Sequence, residues 1–199
     1  SGNLKPLPAK HVDTGMGFER MCSLLQGKEN SYDTDVFERL INDVAQITGS
    51  NPEADNLVPM RVIADHVRTL TVAISDGVLP SNEGRGYVMR RLLRRAARFG
   101  RKLGQHEPFI HRLTKTVADQ MGDVFPEISQ KYTHAAQVIR SEEESFGATL
   151  DRGLDIFEKL CAKGELTGAD AFLLHDTYGF PVDLTDLMAR ERGLNVDID

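Results

Sequence analysis

From Arg85 to Lys102 the chain carries eight of its 24 basic residues and no acidic one. No other feature narrows the fold as much. Stepped at 100° per residue, Arg90, Arg91, Arg94, Arg95, Arg98, Arg101 and Lys102 occupy an arc of about 140°. Val88, Leu92, Leu93, Ala96, Phe99 and Leu103 fill the other side. The segment is therefore an amphipathic helix with one face for a core and one face of a single charge. Cations at i,i+4 repel each other, and solvated helix faces normally mix signs. Arg90, Arg94 and Arg98, like Arg91 and Arg95, thus require anions from somewhere. Guanidinium groups fork onto phosphate oxygens and stack on bases, which points to nucleic acid. A plain solvated face, a membrane surface and a helix-in-groove target are the alternatives. The net charge of −6 conceals this segment, because 16 basic groups face 30 carboxylates outside it.

The remaining apolar residues recur at helical spacing. Val36, Phe37, Leu40, Ile41, Val44 and Ile47 predict a helix that Asp33 or Thr34 can cap and Gly49 can end. Asn51 to Pro59 reads as a loop. Ile63, Val67, Leu70 and Ile74 mark the next helix, stopped by Asp76-Gly77. Leu79-Pro80-Ser81-Asn82 is a turn that leads through Gly84 and Gly86 into the arginine helix. A short helix is expected over Phe109 to Val124, closed by Pro126. Ile128 to Ala162 reads as one helix of about 50 Å, with Tyr132, Ala135, Ile139, Phe146, Leu150 and Phe157 along one stripe. Gly147 and Gly153 weaken it, and Glu142-Glu143-Glu144 reads as a solvated face. Lys163 to Gly168 is a linker. Two short helices follow, split by Tyr178-Gly179-Phe180-Pro181, where Gly suits a C-terminal cap and Pro the next first turn. Strand alternation is confined to a few residues near Lys10 to Thr14. The expected class is all-α.

Several chemistries are disfavoured. No apolar run approaches the roughly 20 residues needed to span a bilayer. Two cysteines, Cys22 and Cys161, make no disulfide framework; they fit a reducing cytosol and read as core thiols. The six histidines contain no i,i+4 pair and the cysteines no ligand spacing, so zinc is not expected. Asp65-His66 and His175-Asp176 are adjacent pairs whose side chains diverge by about 100° on a helix.

One stretch is more informative: Asp13-Thr14-Gly15-Met16-Gly17-Phe18-Glu19-Arg20-Met21. Two glycines at i,i+2 admit a close ligand, and an arginine at the start of a helix suits a phosphate. The order Gly-φ-Gly-φ-Glu-Arg-φ (φ, an apolar residue) resembles motif 3 of class II aminoacyl-tRNA synthetases, in the form of the alanyl-tRNA synthetase family. Arg61-Val-Ile-Ala-Asp-His66, the run from Asp76 to Arg91 and Asp176-Thr-Tyr-Gly-Phe-Pro-Val-Asp-Leu-Thr185 resemble that family's central region in the same order, over nearly the whole chain.

The resemblance implies a parent enzyme that activates alanine with ATP and magnesium and esterifies it to the tRNA specific for alanine. It implies that residues 1–28 are a short remnant of the class II catalytic domain. Residues 29–163 would then form a helical bundle that recognises tRNA, and residues 164–199 a smaller helical part completing the recognition site. By the same resemblance Arg20 maps to the ATP-phosphate arginine, with Gly15 and Gly17 near the adenine. Asn82 and Asp176 map to the two residues that read a G·U wobble pair in the acceptor stem, and Arg85, Arg90, Arg91, Arg94, Arg95 and Arg98 become phosphate contacts. The resemblance further implies a cytoplasmic enzyme, a zinc-bearing editing domain lying outside this chain, and a segment inactive by itself. On residues alone, Asn82 is a turn position and Asp176 a polar group at a helix end. A helical module binding some other anionic partner through its arginines is the alternative function.

Overall fold

The computed structural model describes residues 14–196 together with Pro6, Pro8 and Ala9. Lys10 to Asp13, where strand alternation is expected and the glycine motif begins, lie outside the described residues. The chain divides into two compact units, Ser1–Glu38 and Arg39–Asp199.

In the first unit, α1 (Phe18–Leu25) starts after Gly17, whose carbonyl accepts from the Met21 amide at 3.1 Å. Ser31–Asp33 forms one 3-10 turn, opened by Asn30, whose side chain accepts from the Tyr32 amide at 2.9 Å. Thr34 opens α2 (Asp35–Thr48) with its carbonyl, while its hydroxyl donates back to Ser31 at 2.6 Å. The expected stop holds: Gly49 follows the helix at φ 67°.

The second unit contains the rest of α2 and then α3 (Ala54–Ser75), α4 (Gly84–Lys102), a 3-10 turn at Ile110–Leu113 running into α5 (Thr114–Met121), α6 (Pro126–Cys161), α7 (Gly168–Tyr178) and α8 (Val182–Arg190). Among the described residues the only β pairing is one isolated parallel bridge, Leu166 to Val196. The chain is all-α, as expected. The loop expected over Asn51 to Pro59 is shorter than predicted, because α3 begins at Ala54 and takes Pro59 inside it. Pro59 lies close enough to the helix start that only the bond to the Asp55 carbonyl is forgone.

The 36 residues of α6 make a rod of about 54 Å. Its stripe is buried as predicted at Ala135, Ile139, Phe146, Leu150 and Phe157. Helices α3, α4 and α5 pack on it, and α7 also joins it. Toward its C-terminal end, Phe146, Leu150, Phe157 and Leu160 form one core with Leu174, Phe180, Leu184 and Met188 of the α7–α8 pair. The turn between α7 and α8 needs a glycine: Gly179 sits at φ 70°, and the Arg94 guanidinium lies against the place a Cβ would occupy. Pro181 stands at the cap position of α8, one residue earlier than the first-turn place predicted for it. Both cysteines are half-buried, not the core thiols expected, and burial pushes the Cys161 thiol up.

The last turn of the fold is held by charge. Arg98 of α4 is 8% exposed and forks onto both oxygens of Glu191, just past α8. Those hydrogen bonds hold the Glu191 carboxyl below its ordinary range, against a desolvation that pushes the other way. A depressed carboxylate stabilises the fold above its unfolded pKa, and that contribution is lost as pH falls through the folded value. Protection of the α8 amides against hydrogen exchange, taken relative to the unstructured rate at the same pH, should therefore fall as pH drops below the ordinary glutamate value of about 4.3. Glu191→Gln should remove this acid sensitivity; an unchanged profile would mean the pair does not secure α8.

Candidate nucleic-acid interface

The arginine helix does form, with the apolar side largely packed as expected: Leu93, Ala96, Phe99 and Leu103 are buried, although Val88 is exposed. The self-repelling face does not wait for an outside anion. Carboxylates from other helices meet it. The Arg90 Nε lies 2.7 Å from Glu142 Oε1 and its Nη2 donates to Glu142 Oε2 at 3.2 Å. Arg94 Nη2 donates to the same Glu142 at 3.3 Å, and its Nη1 donates to the Gly179 carbonyl. Arg91 faces Asp183 at 3.7 Å, and Arg101 Nε donates to Asp151 at 2.6 Å. Spacing groups Arg98 with the outward arginines, but the structure buries it on Glu191. Arg85 is exposed and Arg95 half-buried; neither has an ion-pair partner among the described residues.

One carboxylate carries two of these arginines. Glu142 has only 14% of its side chain exposed, and the two guanidiniums share it from successive turns of α4. Burial pulls Arg94 below its ordinary pKa; Glu142 opposes that fall and neighbouring Arg90 adds to it. Arg94 also lies over the Phe146 ring at 5.1 Å. This fixes the group from three sides: carboxylate, backbone carbonyl and aromatic face.

Asn82 is exposed on the turn before α4, and its Oδ1 accepts from Arg90 Nη1. The amide nitrogen is the function left to face outward, so Asn82 presents a donor. Asp176 is exposed near the end of α7 and has no hydrogen-bond or ion-pair partner among the described residues. It presents an acceptor. The chain Asn82–Arg90–Glu142–Arg94–Gly179 joins the two places.

The glycine motif is in the first unit. Arg20 is exposed in the first turn of α1, its methylenes beside Gly17, and nothing crowds Gly15. One guanidinium, free helix amides and an open glycine fit one edge of a phosphate-bearing ligand. Among the described residues no group of three or more His, Cys, Asp or Glu could hold a metal ion, so they offer no cage for magnesium.

The family model described as tRNA synthetases class II (A) matches residues 1–199. The chain belongs to that family. An alanine–tRNA ligase of Chlorobium phaeovibrioides is 56% identical over 206 residues, covering 98% of this chain. One of Chlorobium chlorochromatii is 55% identical over the same share, and one of Desulforamulus reducens is 50% identical over the whole chain. The chain spans only 23–24% of the length of these relatives. No helix among the described residues of this class II family member is long and apolar enough to cross a membrane.

Sequence reasoning missed the carboxylates. Glu142 and Glu143 are read as solvated, yet Glu143 is 4% exposed and accepts from the backbone amides of Phe109, Ile110 and His111. A signal was present. Ile139, Glu142, Glu143 and Phe146 are spaced i, i+3, i+4, i+7, so the buried stripe runs through the two carboxylates. Only Glu144 of the three faces out, paired with Arg140 four residues earlier.

Proposed function

We propose that this chain is the tRNA-recognition segment of an alanine–tRNA ligase, an enzyme that activates alanine with ATP and transfers it to the 3′ end of its tRNA. The observation that carries the reading is the pairing of an outward donor at Asn82 with an unpartnered acceptor at Asp176, held together through the arginines of α4. A G·U pair leaves the guanine amino group without its usual partner and displaces the uracil. A carboxylate accepts from that amino group; an amide nitrogen donates to a uracil oxygen. Duplex RNA is otherwise held through phosphates and 2′-hydroxyls. Arg85, Arg91 and Arg95 suit that work, with Arg90 and Arg94 beneath them as support and Arg98 committed to the fold. Residues 29–163 would form the recognition body, 164–199 would complete it with Asp176, and 1–28 would close one edge of the ATP site through Gly15, Gly17 and Arg20. When bound there, ATP with magnesium supplies the energy for the ester; Arg20 would hold a phosphate oxygen. The enzyme would work in the cytoplasm.

The test compares aminoacylation of G·U and G·C acceptor-stem minihelices by a full-length protein carrying this segment. Asp176→Asn removes the charge and replaces one of the two acceptor oxygens with a donor nitrogen, so the contact to the guanine amino group weakens and the G·U preference should fall by about tenfold to a hundredfold. Asn82→Ala should do likewise. Arg85→Gln with Arg95→Gln should weaken both stems alike and flatten the salt dependence by about 0.9 in log slope for each phosphate no longer neutralised. Equal losses on both stems for the Asn82 and Asp176 variants would make those residues structural. Undiminished binding of an unrelated polyanion in place of tRNA would favour a general anion-binding module.

A further inference from the structure

Asn82 and Asp176 stand 94 positions apart in the sequence on separate elements, so two-point reading of one base pair needs something to set their separation. Among the described residues Asn82 has no side-chain hydrogen bond other than the one from Arg90, while the end of α7 is held by its own backbone cap, by the Thr149 hydroxyl donating to the Tyr178 carbonyl at 3.0 Å, and by the buried Phe180. Asn82 is exposed on a turn, and the end of α7 is tied toward α4 by Arg94 at the Gly179 carbonyl. Both ties, Arg90 to Asn82 and Arg94 to Gly179, come from arginines that repel one another. Glu142 lies between them, mostly buried, with one oxygen shared by both guanidiniums and the other on Arg90.

Resting on the reading above, we infer that Glu142 is a positioning residue for wobble-pair discrimination: it clamps Arg90 and Arg94 so that the Asn82 amide and the Asp176 helix end keep a fixed spacing. Glu142 itself touches no RNA. Its place in an acidic run on α6, 60 and 34 positions from the two readers, gives no hint of that role, although it lies on the helix's buried stripe. The physical argument is that removing its charge leaves two adjacent cations without a counter-charge. Arg90 would swing away and release Asn82 to rotate, and Arg94, left with only the Phe146 ring and the Gly179 carbonyl, would hold the turn after α7 less rigidly. Binding through outward phosphate contacts would survive this better than discrimination would.

The experiment uses the full-length protein carrying this segment and the same pair of minihelices, with Glu142→Gln, Asp176→Asn and the double variant. The readout is the ratio of kcat/KM on the two stems, in which any loss of folded enzyme cancels. Glu142→Gln should lower the G·U preference about tenfold, and the double variant should sit within about twofold of Asp176→Asn alone, because residues acting through one another are not additive. Arg90→Lys, which keeps the charge but cannot reach Glu142 and Asn82 together, should lower the ratio as Glu142→Gln does. It serves as the test if Glu142→Gln yields no active protein. An unchanged ratio in Glu142→Gln, or in Arg90→Lys, beside a lowered one in Asp176→Asn overturns the clamp and leaves the base readers standing. Full additivity in the double variant also overturns it. An unchanged ratio in every variant, Asn82→Ala included, removes the base-reading assignment and the clamp with it.

Discussion

Glu143→Ala is expected to cost about 3–5 kcal/mol, a large share of a typical domain's roughly 5–15 kcal/mol. The 3-10 turn at Ile110–Leu113 has no side-chain cap of its own at Phe109. Its free amides are satisfied from another helix, by the Glu143 carboxylate at 3.0, 3.0 and 3.2 Å. The first two of those amides are buried. A buried donor left unpaired costs about 1–3 kcal/mol, and hydrogen bonds to a charged group are the strong ones. Glu143→Gln separates the contributions. Its carbonyl oxygen can still serve Phe109 and Ile110, while its amide nitrogen meets the His111 amide donor to donor. A loss of about 1–2 kcal/mol is expected there. Urea unfolding at constant m-value measures both; equal effects for Ala and Gln would mean that charge, and not acceptor geometry, holds the turn.

The second large effect is of opposite sign to helix propensity. Gly153 lies in the middle of α6, and replacing a mid-helix glycine by alanine ordinarily stabilises by about 1 kcal/mol. Here the new Cβ would be driven into the edge of the Phe180 ring, with two further ring atoms at 3.0 and 3.1 Å. That ring is fully buried and packs edge-on against Phe146 at 5.7 Å, so it has nowhere to go. Overpacking costs about 1–3 kcal/mol and more where neighbours are rigid, so Gly153→Ala should lose about 2 kcal/mol net. Gly147, six residues earlier in the same helix, is the control. Its Cβ would find one atom, the Arg101 Nη2 at 3.6 Å, so Gly147→Ala should gain up to about 1 kcal/mol. Thermal melts of the two variants should move in opposite directions. Two shifts of one sign would leave the Phe180 contact without energetic weight.

These two positions show what was legible in the sequence. Periodicity found the helices because it is local: Ile63, Val67, Leu70 and Ile74, or the stripe from Ala135 to Phe157, sit on one face whatever they pack against. It could mark Gly147 and Gly153 as weak points in α6, but not which of them receives a phenylalanine from 27 positions away. The arginine face was equally visible and its neutralisation was not, because Glu142, Asp151, Asp183 and Glu191 come from elements about 50 to 90 positions on. Asn51 to Pro59 was misjudged for a related reason. Pro59 forgoes one due amide bond, to the Asp55 carbonyl, and the helix bears that single loss one turn from its start. The motif residues Asn82 and Asp176 could be named from the resemblance, while the chain of contacts from Asn82 through Arg90, Glu142 and Arg94 to Gly179 could not.

The unbroken length of α6 has a consequence for how a ligand could be accommodated. The α3–α5 helices and the α7–α8 pair are fastened to one 36-residue rod with no interruption between them. Sharp bends in helices arise at prolines, Gly/Ser pairs, bulges or inserted groups; within this rod proline occurs only at its first residue, and Gly153 is packed against the Phe180 ring. The two halves therefore have no proline hinge about which to close, were a stem to bind as proposed. On the proposed reading, shape adjustment would fall instead to the nucleic acid, whose wobble geometry would have to come ready-made or be imposed on it. The protein, already ordered, would surrender little conformational entropy on association.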